Sequence, residues 1–143
     1  MFEIIPFEPH HAARMIEQPL NSQLRNWISS GYAQELKANT EAFTGLVSGE
    51  VMVCGGIAKM WPGRGYLWSV LSENIRVHSI SVYRGIRRWL NTRDYRRIEM
   101  DVPCHMEIAH RRAVWMGFEI EIQRARKYMP NGDDASIYVR IKE

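Results

Sequence analysis

The sequence has 143 residues, of which 45% are hydrophobic and 24% are charged, values typical of a single folded domain over residues 1–143. This composition excludes a fibrous or disordered chain, and no apolar run reaches the roughly 20 residues that would span a membrane. Cys54 and Cys104 are too few for a disulfide framework, which indicates a reducing compartment. The first residues, MFEIIPFEPHH, lack the basic and apolar regions of a signal peptide, so we expect a cytoplasmic protein.

The net charge of +3 is unevenly distributed along the chain. Residues 76–127 contain twelve of the 19 lysines and arginines but six of the 16 acidic residues, so this segment carries +6. Such a segment suits a small ligand that bears phosphates, a nucleic acid or an acidic partner, and charge alone does not choose among them. The tryptophans have apolar neighbours, which favours core positions over base stacking and makes nucleic acid the weakest of the three.

The first half of the chain predicts a strand, two helices and then a block of three strands. The strands follow from apolar runs bounded by turn residues, and the helices from apolar residues at helical spacing. Gly49 and Glu50 separate two of the strands, a connection typical of a tight hairpin. The predicted ranges are 1–7 for the first strand, 10–18 and 21–36 for the helices, and 42–48, 51–60 and 66–71 for the later strands.

The second half predicts alternating helices and strands. The predicted ranges are helix 75–90, strand 96–102, helix 104–116, strand 118–125 and strand 136–142. The whole order, β-α-α-β-β-β-α-β-α-β-β, indicates a mixed α/β fold with a parallel step across the helix 75–90. Ligands of such sheets bind at the carboxyl ends of the strands, where the next helix begins.

Three short segments, in a fixed order, carry a resemblance to a known family. They are Arg96-Arg-Ile-Glu-Met-Asp-Val102, Ala109 placed eight residues before Gly117-Phe118, and the tail Arg126–Gly132 followed by Ile137–Arg140. With the element order, they resemble the GNAT superfamily of acyl-CoA-dependent N-acyltransferases. The resemblance implies a central, mostly antiparallel sheet with one splayed parallel strand pair, flanked by helices. It also implies acetyl-CoA as the acyl donor and a primary amine as the acceptor.

In this family the segment after the central strand binds the pyrophosphate of the cofactor through backbone N–H groups at a helix N-terminus. Family members have small residues there, but this chain has no glycine from Ser72 to Ser81. Two alignments remain open. Residue types place Arg76, Ser79 and Ser81 at the three family positions, whereas the distance to the next strand places Asn74, Val77 and Ser79 there.

The resemblance further implies that the end of the central strand binds the pantetheine arm and polarises the thioester carbonyl. The candidate cofactor-binding residues are therefore Val70, Leu71, Ser72, Asn74, Arg76 and Ser79. Three arginines of the helix 75–90 share one face, which suits the 3′-phosphate of the cofactor, a nucleic acid backbone or plain solvent exposure. These are Arg84, Arg87 and Arg88.

The catalytic residues of the family are incompletely matched. Met106 stands where many relatives have an asparagine, and Ala113 stands where they have a tyrosine that protonates the leaving thiolate. Glu73 is the candidate general base, although an acid at a helix N-terminus is also favoured by the helix dipole alone. Cys104, His105 and His110 have no further ligands at suitable spacing, so no metal site is expected.

A narrower resemblance points to phage proteins. The short chain, the altered phosphate loop and the ending Ala113-Val-Trp-Met-Gly-Phe118 are similar to phage-encoded GNAT-like proteins, including internal virion proteins of short-tailed phages. This resemblance implies an alternative function as a non-catalytic particle component with virion proteins as partners, located in the host cytoplasm or the virion.

Overall fold

The computed structural model describes residues 1–16 and 31–143. In this part of the chain seven strands form one sheet in the order β1-β2-β3-β4-β5-β7-β6. The strands are β1 (Phe2–Pro6), β2 (Glu41–Val47), β3 (Glu50–Trp61), β4 (Arg64–Leu71), β5 (Arg97–Pro103), β6 (Glu119–Ala125) and β7 (Ala135–Ile141).

The described helices cover both faces of this sheet. They are α1 (Pro9–Ile16), α2 (Tyr32–Asn39), α3 (Ser79–Asn91) and α4 (Glu107–Trp115), with a 3-10 helix over Glu73–His78 before α3. The end of the predicted helix 10–18 and the first part of the predicted helix 21–36 lie outside the described residues. No described helix is long and apolar enough to cross a membrane.

The strand pairing confirms the predicted fold class. Every neighbouring pair in the sheet is antiparallel except β4 and β5, which are parallel. The crossover between these two strands consists of the 3-10 helix and α3. The fold is therefore a mixed, mostly antiparallel sheet with one parallel pair between flanking helices.

Two hydrophobic clusters lie on opposite faces of the sheet, because side chains alternate along each strand. On one face, α3 and α4 pack on strand residues such as Leu67, Leu71 and Ile98. On the other, α1 and α2 pack on Trp68 and Val70. We call these faces the α3 side and the α1 side.

The two connections within the block of three strands differ from the sequence prediction. The first hairpin turns at Ser48 and Gly49, whose φ angles are 51° and 80°, rather than at Gly49 and Glu50. Positive φ at both central residues matches the twist of a hairpin, so the turn sits where Gly49 can take its second position. The third strand of the block begins at Arg64, not at Tyr66, because only Pro62 and Gly63 are needed to connect it to β3.

The two helices of the second half also begin differently. The segment predicted as a helix from residue 75 is a 3-10 helix from Glu73, and the α-helix begins only at Ser79, where the stripe of Val82, Ile86 and Leu90 starts. The other helix begins at Glu107 because residues 104–106 form a turn, closed by the Met106 N–H donating to the Pro103 carbonyl at 3.0 Å.

Candidate functional site

The parallel pair β4 and β5 separates along its length. Only three residue pairs join the two strands, and the last is Tyr66 with Glu99. Beyond it, residues 67–71 pair with β3 alone and residues 100–103 pair with β7 alone. The parallel pairing therefore stops after Tyr66 and Glu99, and we call the gap between the two strands the β4–β5 cleft. The cleft is the splay that the sequence predicts.

The predicted cofactor residues lie at the open end of this cleft. Val70 and Leu71 end β4 and are buried on opposite faces of the sheet. The Ser72 N–H donates to the Met52 carbonyl at 2.9 Å, and the Ser72 hydroxyl accepts the Asn74 N–H at 3.0 Å. Ser72 thus caps the 3-10 helix and fixes the direction in which the chain leaves the sheet.

The remaining predicted residues follow along the 3-10 helix. Glu73 is half-buried and Arg76 is exposed. The Asn74 amide donates to the Glu50 carboxylate at 3.1 Å, so this side chain ties the helix to the first hairpin. Ser79 is half-buried at the first residue of α3, and its N–H donates to the Arg76 carbonyl. Both alignments of the phosphate loop therefore bring Ser79 to the N-terminus of α3.

A groove of about 860 Å³ runs from this point between α3 and α4. Its wall contains the three arginines of the helix face and two aromatic rings, Tyr83 and Trp115, whose centroids are 5.2 Å apart. Exposed apolar residues border it, with Ile80 71% and Val114 57% exposed. The groove thus combines cations with apolar surface, which suits an anionic ligand that carries a ring.

Two buried polar atoms lie at the base of this region without a hydrogen-bond partner among the residues that the structure describes. They are the Tyr83 hydroxyl and the Arg112 Nε. Burial raises the pKa of Tyr83, and the neighbouring Arg112 cation opposes that rise. Tyr83 and Arg112 thus interact with each other where α3 and α4 meet.

The two unmatched family positions lie on α4 and the turn before it. Ala113 is fully buried in the core of the α3 side, and Met106 is half-buried just before the helix. His110 anchors α4 to the sheet, because its Nε2 donates to the Cys104 carbonyl at 3.0 Å and its Nδ1 accepts from the Tyr138 hydroxyl at 2.7 Å. Within residues 1–16 and 31–143, no group of three metal-ligating side chains comes together.

A polar cluster on the α1 side of the cleft is absent from the sequence prediction. The Tyr66 hydroxyl donates to the Asp101 carboxylate, and Arg64 and Arg97 both donate to Glu99. The sequence of β5 contains the signal for this cluster. Charged residues alternate with apolar ones in it, although β5 is a central strand with a neighbouring strand on each side. One charged face on a central strand indicates a polar site rather than a second core.

The fold is similar to those of solved acetyltransferases. The ribosomal-protein-S18-alanine N-acetyltransferase from Escherichia coli has a TM-score of 0.71 at 14% identity, over 99% of this chain and 94% of that one. An aminoglycoside acetyltransferase in complex with coenzyme A has a TM-score of 0.73 at 14% identity, over 99% and 95% of the two chains. An acetyltransferase of the GNAT family from Streptococcus pneumoniae has a TM-score of 0.61 at 16% identity, over the whole of both chains.

No protein-family model and no curated protein matches the sequence. At identities of 14–16%, the structural similarity defines the fold and leaves the activity to the site. The fold is the GNAT fold.

Proposed function

We propose that the protein is an acyl-CoA-dependent N-acyltransferase that transfers an acetyl group from acetyl-CoA to a primary amine, acting as one domain over residues 1–143 in the cytoplasm. The observation that carries the proposal is the β4–β5 cleft, since the two parallel strands separate next to the segment that leads into the N-terminus of α3. A ligand with amide groups and phosphates is complementary to that combination.

The edge of β4 provides the site for the pantetheine arm. Val70 and Leu71 pair with Cys54 and Val53 of β3 on one side, and their other side faces the cleft. An extended ligand with amide groups binds such an edge as an added strand would, through main-chain hydrogen bonds. The thioester then points into the cleft, between β4 and β5.

The phosphates of the donor fit at the segment from Ser72 to Ser79 and at the groove beyond it. The chain lacks the glycines that usually allow close approach, so Ser79 is the small residue that the proposal requires there. From Ser79 the groove passes Arg84 and Arg87, which supply positive charge for a 3′-phosphate. Trp115 provides a surface on which a nucleotide base packs.

The chemistry that acetyl-CoA supplies is an activated thioester. The acceptor amine must lose a proton before it attacks, and Glu73 is the base that the sequence predicts. Ala113 offers no phenol to the leaving thiolate, so water delivers that proton in this chain. The rate then depends on positioning and on stabilisation of the oxyanion.

Calorimetric titration with acetyl-CoA tests this proposal. A ligand that binds the native state at about a hundredfold excess over Kd stabilises it by roughly 2.7 kcal/mol, which raises the Tm by on the order of 2–8 °C. Ser79→Glu places a negative charge against the phosphates, so we expect it to abolish both binding and the Tm shift. Gln123→Glu adds the same charge at an exposed position of β6 and is the matched control. Absence of saturable binding to the unmodified protein contradicts the proposal.

The alternative function is a non-catalytic interaction protein, such as a phage particle component. The observation that favours it is the burial of Ala113. This residue is fully buried in a packed core, at the position where relatives carry the tyrosine phenol. It predicts copurification with a virion or portal complex and no stabilisation by acetyl-CoA, which is the opposite result in the same titration.

A further inference from the structure

The Tyr66–Asp101 pair stands at the closed end of the β4–β5 cleft. Tyr66 belongs to the last parallel pair, opposite Glu99, and Asp101 lies two residues further along β5 on the same face. The Tyr66 hydroxyl donates to the Asp101 carboxylate, so the contact bridges the two strands where they begin to separate. A carboxylate is thereby held on the α1 side of the place where a thioester in the cleft would lie.

Asp101 differs from the other carboxylates of this cluster in its charge balance. Glu99 accepts hydrogen bonds from Arg64 and Arg97, and Glu121 accepts two from Arg97, at 2.6 and 3.0 Å. In the described part of the chain, no lysine or arginine is within ion-pair distance of Asp101. The cluster therefore offers one carboxylate that a cation of its own has not neutralised.

The connection between β6 and β7 brings an aromatic ring to this carboxylate. Burial raises the pKa of Tyr128, and the negative charges of Asp101 and then Glu99 raise it further. Tyr128 is 49% exposed, and hydrogen bonds within the connection hold it, including the Met129 N–H to the Asp133 carbonyl at 3.0 Å. Its ring is available to an incoming molecule.

Apolar side chains continue the same surface across the sheet. Asp101 pairs with Ile137 of β7, and Ile137 pairs with Ile122 of β6. Directly opposed residues of antiparallel strands share a face, so these two isoleucines lie in a row beside Asp101. Ile122 is 44% exposed. Ile137 itself is buried, so the accessible apolar surface near Asp101 is that of Ile122, one strand further along, and of the Tyr128 ring.

We propose that Asp101 binds the ammonium group of the acceptor and takes its proton, with Tyr66 positioning the carboxylate and with a singly charged amine on an apolar body as the preferred acceptor. This inference rests on the proposed transferase function and specifies its acceptor site. The single unpaired carboxylate accounts for one ammonium. Glu99 and Glu121 are paired with Arg64 and Arg97, so they are not free to bind a second ammonium, which disfavours polycations.

The proposed step is balanced by the two substrates. The ammonium gives one proton to the Asp101 carboxylate, and the free amine nitrogen forms a bond to the thioester carbon. The carbon–sulfur bond breaks, and the electron pair leaves on sulfur, which takes up a proton. The nitrogen loses its second proton as the amide forms, so the net products are the acetylated amine, free coenzyme A and one proton.

Asp101 and Glu73 are alternative bases and do not act on the same ammonium. Asp101 lies two residues beyond the last parallel pair, whereas β4 continues for five residues beyond it before Glu73 follows, a difference of three residues or about 10 Å of strand. A proton transfer needs heavy atoms about 2.6–3.2 Å apart. A base at Asp101 and a base at Glu73 therefore predict different binding positions for the acceptor.

The acceptor site is tested first without the donor. The carboxyl carbon of Asp101 is observed by NMR, assigned by its loss in Asp101→Asn, while tyramine, N-acetyltyramine or kanamycin is added. We expect a saturable shift with tyramine, which carries one ammonium on an aromatic body, and none with the neutral N-acetyltyramine. No shift with millimolar tyramine, or a larger response to kanamycin, overturns the proposal.

The second measurement follows acetyl transfer to tyramine alongside acetyl-CoA binding. We expect Asp101→Asn to lower kcat/KM by about 10²- to 10⁴-fold while the Kd of acetyl-CoA changes less than twofold. Tyr66→Phe, which removes only the positioning hydroxyl, is expected to raise the KM for the amine and again spare acetyl-CoA binding. Glu119→Gln removes an exposed carboxylate on β6 and is the control for charge.

The outcomes separate the acceptor site from the proposed function. Loss of transfer in Glu73→Gln with full transfer in Asp101→Asn overturns the acceptor site and leaves the transferase function standing. If the unmodified protein does not bind acetyl-CoA, the transferase function fails, and the NMR titration with tyramine still decides whether Asp101 binds an amine.

Discussion

The two faces of the β4–β5 cleft are built on different principles. The α3 side is a packed core, where Ile98, Val102 and Ala113 are at most 1% exposed. On the α1 side, next to the buried Trp68, the sheet carries a polar cluster of alternating charges. Half-exposed apolar residues lie at the border of this cluster. Both strands are therefore covered on the α3 side, whereas on the α1 side β5 presents polar side chains and only the end of β4 at Trp68 and Val70 is covered by helices.

The difference bears on where chemistry is possible. On the α3 side, recognition of a ligand is left to helix termini and to the groove outside the core, because the strand side chains there are used for packing. On the α1 side, strand side chains carry carboxylates, hydroxyls and guanidinium groups directly at the cleft. The donor is thus expected to be bound mainly by backbone and helix groups, and the acceptor by side chains.

The largest effect is expected from removing core volume on the α3 side. Ile98→Ala leaves a cavity beneath α3 and should lower the free energy of unfolding by about 2–5 kcal/mol. Ile122→Ala on the α1 side truncates the same residue type at a half-exposed position and should change it by less than about 0.5 kcal/mol. Urea denaturation of both variants measures the contrast, and similar losses would refute it.

A second, smaller effect is expected from overfilling the same core. Ala113→Tyr restores the phenol of relatives, but Ala113 is fully buried and packed, so the ring displaces its neighbours. We expect a loss of about 1–3 kcal/mol. Val114→Tyr, one residue along α4 and 57% exposed, is the control that should be tolerated. A stable Ala113→Tyr variant would show that the cleft extends beneath α4.

The polar cluster is expected to respond to pH. Hydrogen bonds from Arg64 and then from Arg97 hold the pKa of Glu99 below its ordinary value of 4.5. A carboxyl whose pKa is depressed in the folded state stabilises the fold above the pKa of the unfolded chain, and this stability is lost as the pH falls through the folded value. Arg97→Met should therefore lower stability at pH 7 by about 1–2 kcal/mol.

The same variant should differ less from the unmodified protein as the pH falls below 4.5, because the stability that comes from the depressed pKa of Glu99 is lost as the pH falls through its folded value. Chemical denaturation at pH 7, 5 and 3 gives the comparison. Arg126→Met removes an exposed arginine after β6 and should show no such pH dependence. A gap between Arg97→Met and the unmodified protein that stays constant with pH would contradict the role of Glu99.

The sequence predicts the fold well and the site only in part, for a physical reason. Apolar periodicity marks each strand and helix locally and predicts one parallel crossover. The GNAT fold is what the family resemblance implies, and it is confirmed. The starts of two α-helices were missed by four and three residues, because a 3-10 helix capped by Ser72 and a turn after Pro103 precede them.

The α1-side cluster needs contacts between distant parts of the chain. Tyr66 and Asp101 are 35 residues apart, and only the parallel register brings them together. The loop Ser72–Ser79, by contrast, is a continuous segment that a motif can find, and its assignment to the cofactor stays a prediction. Sequence reasoning therefore favours the α3 side of the site and overlooks the α1 side.

The smallest effect is expected on the outer surface of α4. Arg111 donates to Glu107 at 3.0 Å, one turn earlier, and the two side chains are 58% and 82% exposed. An exposed pair at this spacing contributes about 0.3–0.5 kcal/mol and is screened by salt, so Arg111→Ala should cost no more than that and nothing at 1 M salt. Glu107→Ala should cost slightly more, because Glu107 also lies in the first turn, where the helix dipole favours a negative charge.

A double-mutant cycle separates the contribution of the ion pair from that of the helix dipole. If the pair contributed more than about 1 kcal/mol, α4 would depend on its surface rather than on the core of the α3 side, and the contrast between the two faces would lose its basis.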